Sequence, residues 1–440
     1  MIVMIRNYLN AGRTSLFKGE WSLKGGTLLM ILVYLMRGVL SYFYLFIAVR
    51  LLGTVAYGSF SVLYSGFTMI GFILGQSFET LISKYTAEAA SQQLNLRSIF
   101  LKVGIVFGVV SIFIVLVAIV SENYLASRLF NEDLSLYWFM ICIGLGESID
   151  MTSRGILRGL RAIGLYGTSF VINMTLRFLT LLLFVKVFNL GLRGAAIGLL
   201  LAMALSILIN IAFYSQIART SKIHKAQNFL IGNRELRAYM SSMLWMFTAM
   251  ALYFHTGPML IKAQGGVASA KLAGMFLLAT YLTRLPAQLA ESLTVNLLPH
   301  LANVSVQANL DKTRNTIRKS FKILIPLGTL SVIGLYLFGP WILSIFSNEY
   351  IYSRNGMALL AINGFMIILT NVLAQLLLSR SKTRHVAFAW FVGCAIFFGA
   401  SLLNGLPVLT SLEWGYLVSS IIMFFIVSIS VKVEIYGRSS

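Results

Sequence analysis

Apolar residues run through this chain in long stretches broken by short polar joints. Val103 to Ser121, Gly194 to Ala218, Ile323 to Phe346, Asn355 to Ser379 and Val386 to Leu412 contain no charged residue. A run of about 18 or more apolar residues is long enough to cross a bilayer as a helix. A helix also satisfies its own backbone hydrogen bonds in hydrocarbon. The pattern predicts an all-α, polytopic membrane protein with about twelve spans, near 25–48, 58–82, 101–121, 136–157, 164–187, 194–216, 240–262, 272–295, 320–343, 357–378, 386–404 and 414–432. Pro258, Pro286, Pro299, Pro326, Pro340 and Pro407 mark expected kinks or joints.

The longest polar stretch, Ile217 to Tyr239, lies mid-chain. It divides the sequence into an amphipathic segment 1–24, a six-helix lobe 25–216, a basic linker 217–239, a second six-helix lobe 240–432 and a tail 433–440. Transporters are often built from such repeated halves. A faint echo supports this division. Gln76-Ser77-Phe78-Glu79 resembles Gln288-Leu289-Ala290-Glu291, and Gly58-Ser59-Phe60 resembles Gly274-Met275-Phe276. Glycines four apart (Gly71/Gly75, Gly104/Gly108, Gly155/Gly159, Gly194/Gly198) let helix backbones approach closely, here within one chain.

Composition agrees with a membrane protein: 58% of residues are hydrophobic and 11% charged, with a net charge of +21. The excess of basic residues sits in alternate loops. With both termini cytoplasmic, inner segments hold 25 of the 35 Lys and Arg, and outer segments hold 7. This obeys the positive-inside rule. It removes the case for nucleic acid as a partner, and it leaves the bilayer and anionic lipid-linked molecules. Cys142 and Cys394 are isolated within spans, with no disulfide framework or metal-ligand spacing. No phosphate-binding Gly-x-x-x-x-Gly-Lys-Ser/Thr, Gly-x-Ser-x-Gly elbow or His-Glu-x-x-His occurs. The expectation is a transporter with no cofactor, no metal and no catalytic residue.

Charged side chains within spans are costly and usually face a cavity or one another. Here they are Arg37, Arg177 and Arg284, against Glu79, Glu147, Asp150 and Glu291. Glu147, Asp150, Arg154, Arg158 and Arg161 share one helical stripe, and Asp150 is placed to pair with Arg154 one turn on. The three intramembrane arginines are candidate substrate ligands, because a guanidinium stays charged and grips phosphate with two parallel hydrogen bonds. The four acids are candidates for ion coupling or for ion pairs. The alternative is that every Arg merely balances an acid. The sequence leaves these readings open.

Several segments resemble the polysaccharide-export branch of the multidrug/oligosaccharidyl-lipid/polysaccharide (MOP) exporter superfamily, which includes the O-antigen flippases. Arg50-Leu51-Leu52-Gly53-Thr54-Val55-Ala56-Tyr57-Gly58-Ser59-Phe60 is similar to the family's Leu-Gly-x-x-x-Tyr-Gly-x-Phe. Leu74-Gly75 onward to Lys84-Tyr85, Phe338-Gly339-Pro340 onward to Tyr350, and the basic loop Arg380 to Arg384 are also similar. The resemblance implies a V-shaped two-lobed bundle in a bacterial inner membrane, alternating between inward-open and outward-open states. It implies an undecaprenyl-diphosphate-linked oligosaccharide as substrate, with other polysaccharide-assembly proteins as candidate partners. Two departures bear on mechanism. The first and tenth spans lack the acids of drug-extruding relatives, and the seventh offers His255 and Lys262 instead. The peptidoglycan-precursor flippases usually have about fourteen helices, although they too place Arg in the first and eighth. A cation-coupled multidrug exporter of the same fold is the first alternative, and a membrane polymerase or ligase the second.

Overall fold

The computed structural model describes residues 23–91, 97–160, 162–220, 233–306, 310–379, 382–402 and 406–436. The predicted segment 1–24, linker 217–239 and tail 433–440 lie largely or partly outside the described residues.

The first helix, α1 (Leu23–Gly71), is a hairpin drawn as one element. Gly53 breaks it with φ 74° and ψ 163°, a conformation that glycine reaches without a Cβ clash. The rings of Tyr44 and Phe60 lie 6.2 Å apart. On a straight helix their separation would be roughly 24 Å, so the chain folds back at Gly53. The second leg continues through a π-helical turn, Phe72–Gln76, into α2 (Ser77–Ser91). Then follow α3 (Arg97–Phe130), α4 (Leu134–Gly159), α5 (Ile163–Leu181) with a π turn Leu182–Val187, and α6 (Gly191–Thr220). The second half comprises α7 (Asn233–Lys262), α8 (Gly266–Val306), α9 (Leu310–Phe346), α10 (Arg354–Ser379), α11 (Thr383–Ser401) and α12 (Val408–Tyr436).

Eleven helical stretches are long and apolar enough to cross a membrane, and the one at Leu35–Ala90 contains the hairpin. Split at Gly53, they make twelve crossings among the described residues. Both ends of the described chain therefore lie at one end of the bundle, called here the terminal end; Gly53 lies at the distal end. Helix α3 extends to Phe130, so most of the outer loop expected at 122–136 is helical, and the turn is confined to residues 131–133. Asp133 caps α4, its carboxylate accepting from the Ser135 and Leu136 amides at 3.0 and 3.3 Å. The prolines Pro258, Pro326 and Pro340 lie within helices that continue past them.

Helices α1 to α6 pack chiefly with one another, as do α7 to α12. The two lobes meet mainly where the α1 hairpin crosses α8 and α7. The paired Gly-x-Phe segments explain themselves here. A Cβ on Gly58 would sit 2.0 Å from the Ala270 carbonyl oxygen, and one on Gly274 would sit 2.8 Å from the Tyr57 ring. Each echo supplies the missing side chain that lets the lobes touch. Gly71, Gly75, Gly155 and Gly159 likewise seat α4 against the second leg of α1 and its continuation α2, whereas Gly104 and Gly108 face open space and pack against nothing.

The lobes are closed at the distal end. Arg50 donates to the Ile345 carbonyl at 2.6 Å. Thr54 donates to Glu349 at 2.8 Å, and Lys271 binds the same carboxylate at 2.6 Å. These two contacts hold the Glu349 carboxyl below the usual range, the Lys271 contact more strongly. Deeper in, the Tyr42 hydroxyl donates to the Tyr281 carbonyl, and the Tyr64 and Tyr281 rings meet at 5.9 Å.

Candidate functional site

Charge in the first lobe is gathered on α4. Asp150 is fully buried and has four side-chain partners. Arg154 binds it at 2.8 Å, Asn173 of α5 at 3.1 Å, and Ser206 and Asn210 of α6 at 2.6 and 2.9 Å. Asn210 in turn bonds Ser153 and accepts from Ser169. One turn earlier, Glu147 is ion-paired with Arg177 of α5, and both are buried. Toward the terminal end, Glu79 accepts from Tyr166 at 2.9 Å and lies 3.7 Å from Arg158. A carboxylate in a low-dielectric interior persists only when paired and hydrogen-bonded. All three of these acids meet that condition, each with a guanidinium from its own lobe.

Arg37 and Arg284 are placed differently. Arg37, on the first leg of α1, lies with its guanidinium 4.7 Å from the centre of the Phe170 ring. Arg284, on α8, donates to the Phe254 carbonyl at 2.8 Å and lies over the Phe254 ring at 4.5 Å. Neither is ion-paired with a carboxylate among the described residues. Both are half-buried. Arg37 stands five residues, about 7 Å, to the terminal side of Tyr42, and Arg284 three residues, about 4.5 Å, to the terminal side of Tyr281. One cation from each lobe thus lies just beyond the contact that closes the lobes. The backbone also puts Glu79 and Glu291 at similar depths, roughly 39 and 38 Å along their helices from the distal turns. The Glu291 side chain lies outside the described residues.

Among the sequence candidates, the structure brings Glu147 together with Arg177. It separates Asp150 and Glu79 from the three intramembrane arginines, giving them Arg154 and Arg158 instead. Arg177 is held at Glu147, not at the lobe interface. Sequence reasoning passed over Asn173, Ser206, Asn210 and Tyr166 because they are uncharged. The available signal was an Asn or Ser recurring at helical spacing inside otherwise apolar spans, as with Ser206 and Asn210. It also passed over Glu413, which is buried at the start of α12 against Gly356. No group of three or more potential metal-binding side chains occurs among the described residues.

A family model described as "Polysaccharide biosynthesis protein" matches residues 23–305. No curated protein matches the chain. Among solved structures, an inward-facing multidrug resistance MATE family transporter of the MOP superfamily superposes with a TM-score of 0.69 at 14% identity, covering 93% of this chain and 96% of the other. The outward-facing form of such a transporter gives 0.65 at 14% identity, covering 94% and 96%. A MOP superfamily transporter from Pyrococcus furiosus, whose binding pocket is described as reversed in polarity, gives 0.62 at 15% identity, covering 93% and 96%. At these identities the likeness establishes the fold. The match over most of the sequence establishes more: this chain is a multi-pass membrane protein that belongs to the polysaccharide biosynthesis protein family of the MOP exporter superfamily.

Proposed function

We propose that this transporter flips an undecaprenyl-diphosphate-linked oligosaccharide from the inner to the outer leaflet of a bacterial inner membrane by alternating access. The terminal end is then cytoplasmic, in keeping with the distribution of basic residues. The observation that carries the reading is the pair Arg37 and Arg284: two half-buried guanidiniums, one per lobe, with no carboxylate among the described residues to neutralise them. They suit the negative charge of a diphosphate entering from the cytoplasmic side. On this reading the aromatic contacts just distal to them, Tyr42 with Tyr281 and Tyr64 with Tyr281, are the floor of the cleft that admits the substrate. The glycan would lie in the cleft while the lipid tail stays in the bilayer.

Several structural neighbours carry the name multidrug transporter. An organic cation is poorly served here, because Glu79, Glu147 and Asp150 are each already bound to an arginine. The same pairing favours charge balance over proton or sodium coupling as the role of these acids. The test is reconstitution into vesicles with a fluorescent undecaprenyl-diphosphate oligosaccharide, scored by the label that becomes accessible in the opposite leaflet. Wild-type protein should flip it, and the Arg37→Ala, Arg284→Ala double variant should not. Normal flipping by that variant, once shown to be stable, removes the phosphate-clamp role. Equal transport of an uncharged or cationic amphiphile removes the substrate class.

A further inference from the structure

Helices α7 and α11 lie side by side in the second lobe. The helices run parallel: Trp245 faces Phe391 at 6.3 Å between ring centres, and further along Tyr253 faces Phe397 at 5.5 Å. Between them lies a cavity of about 410 Å³, and a second of the same volume lies beside it along α7; both are bordered by Ser241 and Trp245. The two adjoin at Ser241 and Trp245 and together are called the groove along α7. The lining is graded along the axis. Arg237 borders the cavity along α7 and Arg384 the cavity between the helices, each in the first turn or so of its helix at the terminal end. Both are exposed, and neither is paired with an acid among the described residues. Ser241 and Ser242 follow about 6 to 7 Å deeper. Below them the walls are apolar and aromatic, with Leu244, Trp245, Phe388 and Phe391.

We propose that this groove is a binding site for one anionic phospholipid of the cytoplasmic leaflet. Two guanidiniums at headgroup level, without an acid partner among the described residues, match a phosphodiester with net negative charge, and basic pockets between membrane helices are suited to such headgroups. The N-terminal ends of two parallel helices add to the positive potential at the mouth. Ser241 and Ser242 stand one turn below the arginines, at the depth of the glycerol ester groups. Phe388 and Phe391 then flank the acyl chains. A zwitterionic lipid fits the apolar wall equally well but brings no net charge to the arginines. The groove therefore selects by headgroup charge.

The purified protein in mild detergent is exposed to equimolar phosphatidylglycerol and phosphatidylcholine of matched acyl chains, and native mass spectrometry reads the lipid retained. The wild-type protein should prefer phosphatidylglycerol by roughly tenfold or more. Arg237→Ala with Arg384→Ala should abolish the preference. Both side chains are exposed, so the fold should stand, and Arg237→Lys with Arg384→Lys should keep most of the preference. Trp245→Ala should lower retention of both lipids and leave their ratio unchanged. Arg318→Ala with Lys322→Ala removes two exposed basic residues at the same end but off the groove, and should change nothing. An equal loss in that control would show diffuse surface charge and overturn the site. Loss of the preference in the Arg37→Ala, Arg284→Ala variant would place the lipid in the cleft and overturn it too. An unchanged preference without Arg237 and Arg384 does the same.

Discussion

Removing Arg177 and removing Arg37 should produce different failures. Arg177 neutralises buried Glu147, so Arg177→Ala strands a carboxylate and should cost about 3–5 kcal/mol of stability. Less protein should then reach the membrane, and a second change, Glu147→Gln, should restore it, as read by quantitative blotting and thermal unfolding in detergent. Arg37 and Arg284 balance no carboxylate among the described residues. Alanine at either should leave protein levels near wild type while flipping is lost, and lysine should retain part of the activity because the charge remains without the forked geometry. At Asp133 the effect belongs to the turn. Partial burial opposes its charge, but hydrogen bonds from Ser135, Arg193 and the Leu136 amide prevail and hold the carboxyl below its usual range. Because the folded value is the lower one, the cap's contribution is present above the ordinary carboxylate pKa and is lost as pH falls through the lowered value. Asp133→Ala should cost about 1 kcal/mol at neutral pH, and the difference from wild type should vanish in acid unfolding measurements.

Among the elements, the α1 hairpin carries the greatest constraint. Its turn is a single residue with positive φ, so Gly53→Ala forces a side chain into a conformation costing roughly 1–3 kcal/mol. Gly58 matters for another reason. Its missing Cβ is what allows α1 to touch the Ala270 carbonyl. Gly58→Val should hold the lobes apart at the distal end and leave each lobe folded. The measurement is disulfide formation between Thr54→Cys and Glu349→Cys, which should be efficient in the parent protein and largely lost when valine stands at position 58. Undiminished cross-linking would mean that the Gly58 contact does not govern closure.

At the scale of the molecule, the distal contacts and the two arginines belong, on the proposed mechanism, to one state of an alternating-access cycle. Locking the distal latch with the Thr54→Cys, Glu349→Cys disulfide should stop flipping, and reduction should restore it. Continued transport by the oxidised protein would contradict alternating access through this end. Topology is tested apart from mechanism. Asn131→Cys should react with an impermeant reagent from outside, and Asn228→Cys, which lies outside the described residues, should react only after the cytoplasmic face is opened. Outside labelling at position 228 would invert the orientation.

The sequence by itself determined the class, the helical fold and the number of crossings. Each of these depends on a local quantity, the length of an apolar run against the thickness of a bilayer. It also showed which residues were anomalous, because a charge in a span is conspicuous without any partner in view. What it could not show was which charges meet. Asp150 and Arg154 are one turn apart on a single helix, so their pairing was readable. Glu147 with Arg177, and Glu79 with Tyr166, join different helices. Only packing could bring them together, and only packing could leave Arg37 and Arg284 without a carboxylate among the described residues. The groove between α7 and α11 was hidden for the same reason. Its arginines are 147 positions apart in the chain, and they border adjoining cavities only because two parallel helices lie side by side.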